Sequence, residues 1–256
     1  MSWASRRRTV YASSVIGFFL VVFGIPFAIW WYESPSCFDG KQNQEETVVD
    51  KGGPCVLLDE RTLSPYTVLW SRAFLARSGT YSAVAYVENP NAGAGLRTVG
   101  YRFRLYDERN IVIAEREGVT FLMPGGITPV FEGGIETGKR VATRTFFEFA
   151  EPFIWERLSD MAGIFSIRNK TVSSIESTPR VTAQVKNSSV EVVLNVAFVA
   201  VVFDTAGNAI AASHTTVPRL AGGEEQEIVF SWNNPLSKVV GRIDILPLAP
   251  PVVAQK

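Results

Sequence analysis

The chain has 256 residues, with 25 Lys and Arg against 25 Asp and Glu, and 46% of its residues are hydrophobic and 12% aromatic. That is ample material for packed cores and excludes a chain disordered throughout. The balanced charge, without a basic stripe interleaved with aromatics, excludes nucleic acid as a partner.

The first element is an apolar run, Thr9–Tyr32, 24 residues without a charged side chain. At about 1.5 Å per helical residue it spans roughly 36 Å, enough to cross a hydrocarbon core of about 30 Å with some tilt. Arg6, Arg7 and Arg8 precede it and Glu33 follows it, so residues 1–8 are expected in the cytoplasm and everything after residue 32 outside. Trp30, Trp31 and Tyr32 suit the outer interface, and Pro26 predicts a bend in the last third of the helix. A cleaved secretory signal is the rival reading. The exit, AIWWYESPSC, lacks a small-x-small cleavage site, so the span is expected to be retained as an anchor. Lipidation of Cys37 is disfavoured because SPSC has no apolar residue three positions before the cysteine.

Residues 33–62 are acidic, with Glu33, Asp39, Glu45, Glu46, Asp50, Asp59 and Glu60 against Lys41 and Lys51, and read as a stalk unable to bury a core. Beyond them come short runs rich in Val, Phe, Tyr, Ile and Thr, punctuated by Gly, Pro, Asn and Asp, the pattern of strands and turns. These runs form two similar sets. Asn89 answers to Asn187, Asp107 to Asp204, Asn110 to Gly207 and Gly125-Gly126 to Gly222-Gly223, each pair about 97 residues apart. The expected organisation is a first β-sandwich over residues 63–151, a linker over 152–163, a second sandwich over 164–249 and a tail over 250–256.

Within the first set, Tyr101, Phe103 and Leu105 alternate with Arg102 and Arg104, the period of a half-buried strand. In the second set AFVAVVFD is apolar on both faces, which predicts a strand covered twice, where the two domains or a partner meet. The Asp-x-x-Asn and Asp-x-x-Gly segments at 107–110 and 204–207 each predict a hairpin turn. In the linker, Phe153, Ile154, Leu158 and Met161 approximate helical spacing and predict a short helix. Pro247, Pro250 and Pro251 are expected to end the fold. The aromatic-rich TRTFFEFAEPFIW is a second candidate for packing between domains or against a partner, and packing within one sandwich explains it equally well. The fold class is all-β, two sandwiches in tandem behind one transmembrane helix.

The strand FRLYD resembles the FxLYD domain, an immunoglobulin-like β-sandwich of bacterial envelope proteins. Phe103, Leu105, Tyr106 and Asp107 match the motif, and the second copy keeps Phe203 and Asp204. The resemblance implies Ig-like sandwiches, an extracytoplasmic interaction or spacer role, and no catalytic residues to carry over.

The stretch CFDGKQNQEETVVDKGGPC, residues 37–55, holds both cysteines. In it Asp39, Asn43, Glu46 and Asp50 follow at intervals of four, three and four residues, with Gly40, Gly52 and Gly53 allowing tight turns. Oxygen-only ligands of this kind suit Ca²⁺. The stretch also resembles a bacterial surface-protein motif, Cys-x-Asp-Gly-x-x-Asn-x-x-Glu-x-x-x-Asp-Cys-Gly-Gly-x-Cys, matching at nine positions and departing at Lys51, where the motif has its middle cysteine. That loss leaves an even pair, so a Cys37–Cys55 disulfide is expected, and a position outside the membrane lets it persist. Two readings stay open: a disulfide-closed acidic spacer without metal, and a calcium loop. Lys51 beside Asp50 favours the spacer.

Catalytic constellations are sparse. The sole histidine, His214, has no nucleophile partner visible in the sequence and is expected to face solvent. The Gly pairs at 125, 133 and 222 lack a phosphate-binding context and read as turns. Glu132 and Glu136 read as solvated rather than as a glycosidase pair. The expected function is therefore non-enzymatic: a membrane-anchored protein of the cell envelope that contacts other envelope proteins, as a homo-oligomer or a subunit of a complex. The alternatives are a carbohydrate or cell-wall binding module, an envelope hydrolase and a pure spacer.

Overall fold

The computed structural model describes residues 3–31 and 36–254. Met1, Ser2, residues 32–35 and the last two residues lie outside the described residues, and with them the expectations for Tyr32 and Glu33, the start of the stalk and the end of the tail. The chain divides into two units, Met1–Pro54 and Cys55–Lys256.

The first unit opens with helix α1 (Trp3–Phe19), a π-helical turn (Leu20–Gly24) and helix α2 (Ile25–Trp31). Pro26 has no N–H, so an α-helix would lose its bond to the carbonyl four residues earlier. The backbone shifts register just before it: the Ile25 N–H donates to Leu20 O, five residues back. The irregularity expected at Pro26 is thus a π turn, a local adjustment by which apolar helices accommodate proline. Arg6–Trp31, 26 residues, is long and apolar enough to cross a membrane, and none of its apolar window is buried. Strands β1 (Glu46–Val48) and β2 (Lys51–Gly52) then pair antiparallel.

The second unit contains strands β3 (Thr67–Arg77), β4 (Thr80–Glu88), β5 (Ala94–Tyr106), β6 (Val112–Leu122), β7 (Ile127–Glu136), β8 (Arg144–Ala150) and β9 (Trp155–Ser159). They are followed by β10 (Phe165–Ser173), β11 (Arg180–Asn187), β12 (Val193–Asp204), β13 (Ala209–Leu220), β14 (Glu225–Ser231), β15 (Val240–Leu248) and β16 (Val252–Val253). One sheet has the order β3-β4-β7, and facing it β5 lies between β6 and β8. The later strands repeat this order, with β10-β11-β14 in one sheet and β13-β12-β15 in the other. Six strands therefore recur with the same antiparallel partners.

Alternation along β4 and β12 explains how the sheets stack. Tyr81, Ala83, Ala85 and Val87 enter a first core with Phe103, Leu105 and Phe147. Val196, Phe198, Ala200 and Val202 enter a second core with Val181, Val185 and Phe230. The opposite faces of the same two strands, Val84 and Tyr86 on β4 and Val199, Val201 and Phe203 on β12, meet in a third cluster. Each fully buried side chain of this size contributes about 1.5–3 kcal/mol. The doubly apolar AFVAVVFD is thus covered by its own core on one side and by the first repeat on the other. TRTFFEFA falls elsewhere: Phe147 and Phe149 of β8 fill the first core.

Three expectations are corrected here. Residues 152–163 form no α-helix; they supply β9, whose Trp155 and Arg157 lie opposite Leu96 and Ala94 of β5, and enter a single 3-10 turn, Ala162–Ile164. The reason is tertiary: β8 pairs only with Gly100–Tyr106, leaving the first part of β5 with backbone groups that an extended neighbour satisfies. The tail does not end the fold either. Val252 and Val253, which keep their N–H groups, follow the prolines and pair with Ser159 and Leu158. Nor is the acidic segment one uniform stalk. Leu58 N–H donates to Trp155 O at 2.9 Å, and Arg157 N–H to Val56 O at 2.7 Å, so residues 56–58 run along β9.

Candidate functional site

In the 37–55 loop both cysteines are oxidised, and since the chain has two, Cys37 is bonded to Cys55. Gly53 sits at φ +49°, and a Cβ there would lie 2.6 Å from Gln44 O, so the turn requires glycine. The four residues singled out in the sequence come together in one hydrogen-bonded network. Asp39 accepts from Asn43 Nδ2 at 2.8 Å, Ser36 N–H at 3.1 Å and Lys41 N–H at 2.8 Å. These bonds, the Asn43 amide first, hold its carboxyl below the ordinary carboxylate range. Glu46 accepts from the N–H groups of Asn43 at 3.2 Å and Asp50 at 3.1 Å, and Asp50 accepts from Gly40 N–H at 3.3 Å. Asn43 Oδ1 is buried without a donor.

The three carboxylates do not converge on one point. Among the described residues, Asp39, Glu46 and Asp50 do not place one oxygen each within 4.8 Å of the others, the reach of two Ca–O bonds of about 2.4 Å. The cysteine sulfurs, being oxidised, offer no thiolate to zinc. The network closes and stiffens the loop.

The FxLYD residues serve the strand and its turn. Phe103 and Leu105 are fully buried. The Arg144 guanidinium lies over the half-buried Tyr106 ring at 4.6 Å. Asp107 accepts the N–H groups of Arg109 and Ile111, both at 3.0 Å, and pairs with Arg140. Asp204 accepts the N–H groups of Ala206 at 3.0 Å and Asn208 at 2.8 Å, and the Lys238 ammonium at 2.8 Å. The bond from Lys238, then that from Asn208, draws the Asp204 carboxyl down to about 2. The Ile111 N–H, with the Arg140 guanidinium and Arg109 N–H, lowers Asp107 likewise. Asn110 at φ 58° and Gly207 at φ 81° hold the left-handed place in each turn. Sequence reasoning missed the two basic partners. The signal was present: Arg140 and Lys238 precede the sixth strand of each repeat at the same 98-residue offset as Asn89 and Asn187.

His214 lies on β13, exposed as expected, with its ring centroid 4.7 Å from that of Phe131 on β7. Both line a cleft of about 730 Å³ where the two repeats adjoin. Segment 231–237 forms another wall. Its Trp232 indole N–H donates to Ala212 O at 3.0 Å, and Asn234 Nδ2 donates to Leu75 O and Ala76 O at 3.2 Å each. The lining holds no Asp, Glu, Lys or Arg.

Glu132 and Glu136 do not line this cleft. Glu132 accepts the Tyr101 hydroxyl and Arg116 Nε; burial, then the Glu132 carboxylate, pushes the Tyr101 phenol above its ordinary range. Gly125 and Gly223 are turn residues whose N–H groups donate to Asn91 O and Asn187 O, both at 2.9 Å. The Gly133 pair departs from the turn reading: it lies inside β7, where the pairing with β4 shifts register between Tyr81 and Ala83 and Gly134 takes φ 68°.

No family model matches the chain, and no curated protein matches it. Among solved structures it is similar to a β-glucuronidase from glycoside hydrolase family 2, at 12% identity and a TM-score of 0.24, over 67% of this chain and 24% of that one. The likeness thus spans about a quarter of that enzyme's length, and at this score it carries no argument about fold or activity.

Proposed function

We propose that the protein is a non-enzymatic, membrane-anchored component of the cell envelope, with residues 1–8 in the cytoplasm and two FxLYD-like, Ig-like sandwiches presented outside to other envelope proteins. The observation that carries this reading is the oxidised Cys37–Cys55 pair shortly after an apolar helix of membrane-spanning length. Disulfides persist outside the cytoplasm, so the bond and the helix argue for the same orientation. The shared cluster of Val84, Tyr86, Val199, Val201 and Phe203 supports a presenting role, because it joins the two repeats into one scaffold.

Protease accessibility tests orientation. Protease added outside spheroplasts is expected to digest residues 36–254 and leave the anchor in the alkali-washed membrane. Crosslinking in the native membrane is expected to trap a second envelope protein or a second copy. Protection of the sandwiches until the membrane is lysed overturns the orientation, and recovery of the mature chain in soluble form overturns the anchor.

A further inference from the structure

The cleft at His214 points to a ligand that the protein-binding reading does not use. We infer that it is a binding site for a short, neutral oligosaccharide. At about 730 Å³ it falls within the usual range for small-molecule sites, about 300–1,000 Å³. Its chemistry then narrows the occupant.

Charge is the first discriminator. With no Asp, Glu, Lys or Arg in the lining, an ionised ligand would leave water without gaining a counter-charge, which is costly. The rings of Phe74, Phe131, His214 and Trp232 supply flat apolar surface, suited to the C–H face of a pyranose. Among the described residues, the hydroxyls of Ser213 and Ser231 and the Asn233 amide lie in the same lining without a hydrogen bond inside the protein. These groups both donate and accept, as sugar hydroxyls do.

The competing occupants of an aromatic cleft fit less well. An added peptide strand needs free edge carbonyls. Here Asn234 already caps those of Leu75 and Ala76 on β3, and Trp232 caps that of Ala212 on β13. A proline-rich peptide docks between aromatic rings with an indole N–H for its carbonyls, and here the Trp232 indole N–H is engaged by Ala212 O. The free Ser213, Ser231 and Asn233 groups both donate and accept, which matches sugar hydroxyls better than carbonyls that only accept.

The test uses the full chain in lipid nanodiscs, because maltoside and glucoside detergents carry competing sugar heads. Maltotriose, cellotriose and chitotriose are titrated by saturation-transfer NMR, with trigalacturonate as the charged control and a proline-rich peptide as the protein control. Co-sedimentation with insoluble cellulose and chitin separates a wall polymer from a free sugar as the source. At least one neutral trisaccharide or its polymer is expected to bind saturably and trigalacturonate to bind more weakly. His214→Ala and Asn233→Ala, both at exposed positions, should each weaken binding between about threefold and tenfold, the value of one hydrogen bond or ring contact, with unchanged melting temperature. Should either variant melt lower, Ser231→Ala takes its place. Absence of saturable binding by every neutral sugar, equal affinity in the variants, or tighter binding of trigalacturonate or the peptide overturns the inference. Each of those results leaves the protease and crosslinking tests untouched.

Discussion

Asn187 performs in the second repeat the task that Asn89 performs in the first. Asn89 Nδ2 donates to Ala94 O at 2.7 Å and Met123 O at 2.8 Å, while its Oδ1 accepts from Asn91 N–H at 3.0 Å. Asn187 Nδ2 donates to Glu191 O at 2.7 Å and Leu220 O at 3.2 Å, and its Oδ1 accepts from Ser189 N–H at 3.0 Å. Both residues are completely buried, and each ties the end of one strand to the chain around two others. Asn89→Ala and Asn187→Ala should each lower the unfolding free energy by about 2–4 kcal/mol, because buried carbonyls lose their donor without water replacing it. Denaturant titration of the full chain checks this, and a loss under about 0.5 kcal/mol in both variants rejects the shared role.

Tyr86 sits between the repeats, its ring centroid 4.5 Å from that of Trp70 and 6.4 Å from that of Phe203. Its hydroxyl is buried without a partner, and that burial pushes the phenol well above its ordinary range. Tyr86→Phe removes a desolvated group and keeps the ring, so it should be neutral or stabilising by up to about 1 kcal/mol. Tyr86→Ala should cost about 3–5 kcal/mol by opening a cavity. Thermal and denaturant unfolding of the two variants side by side provide the check, and a strongly destabilised Tyr86→Phe rejects the orphan-hydroxyl account.

Acid stability follows from the repeated aspartates. The folded Asp204 carboxyl titrates at about 2 against 3.8 for the free group. Its folded value is depressed, so its contribution is fully present above about pH 4 and is lost as pH falls toward 2. Asp204→Asn should therefore melt lower than the wild type at pH 5 and approach it near pH 2. Parallel melting curves that never converge contradict this linkage.

In the 37–55 loop closure is assigned to the disulfide. Cys37→Ser with Cys55→Ser should make residues 36–54 markedly more sensitive to protease, since an open chain of about 19 residues regains roughly 3 kcal/mol of conformational freedom in the loop-entropy model. Because Asp39, Glu46 and Asp50 do not converge, calorimetric titration with Ca²⁺ to several millimolar should give no specific heat. Saturable heat abolished by Asn43→Ala would establish a cation site instead.

Several features were legible because they are local. A charge-free run of membrane-spanning length, period-two alternation in YRFRLYD and the turn chemistry of Asp-x-x-Asn each concern neighbours in the chain. The landmarks 97–98 residues apart were visible because the repeats share a strand plan. The apolar surface on both faces of AFVAVVFD implied two coverings, though not which surface would supply the second.

What the sequence determined by itself was the strand and turn content, the apolar helix and the paired cysteines, all set by side-chain period, length or chemistry within one segment. Only the tertiary structure decided that residues 155–159 become a strand. The same is true of Val252 and Val253 returning to the first repeat, and of His214 meeting Phe131 in a cleft lined by no Asp, Glu, Lys or Arg. Each depends on backbone or surface left open by a distant segment, and an unsatisfied edge or uncovered face overrides weak local spacing once the chain is compact.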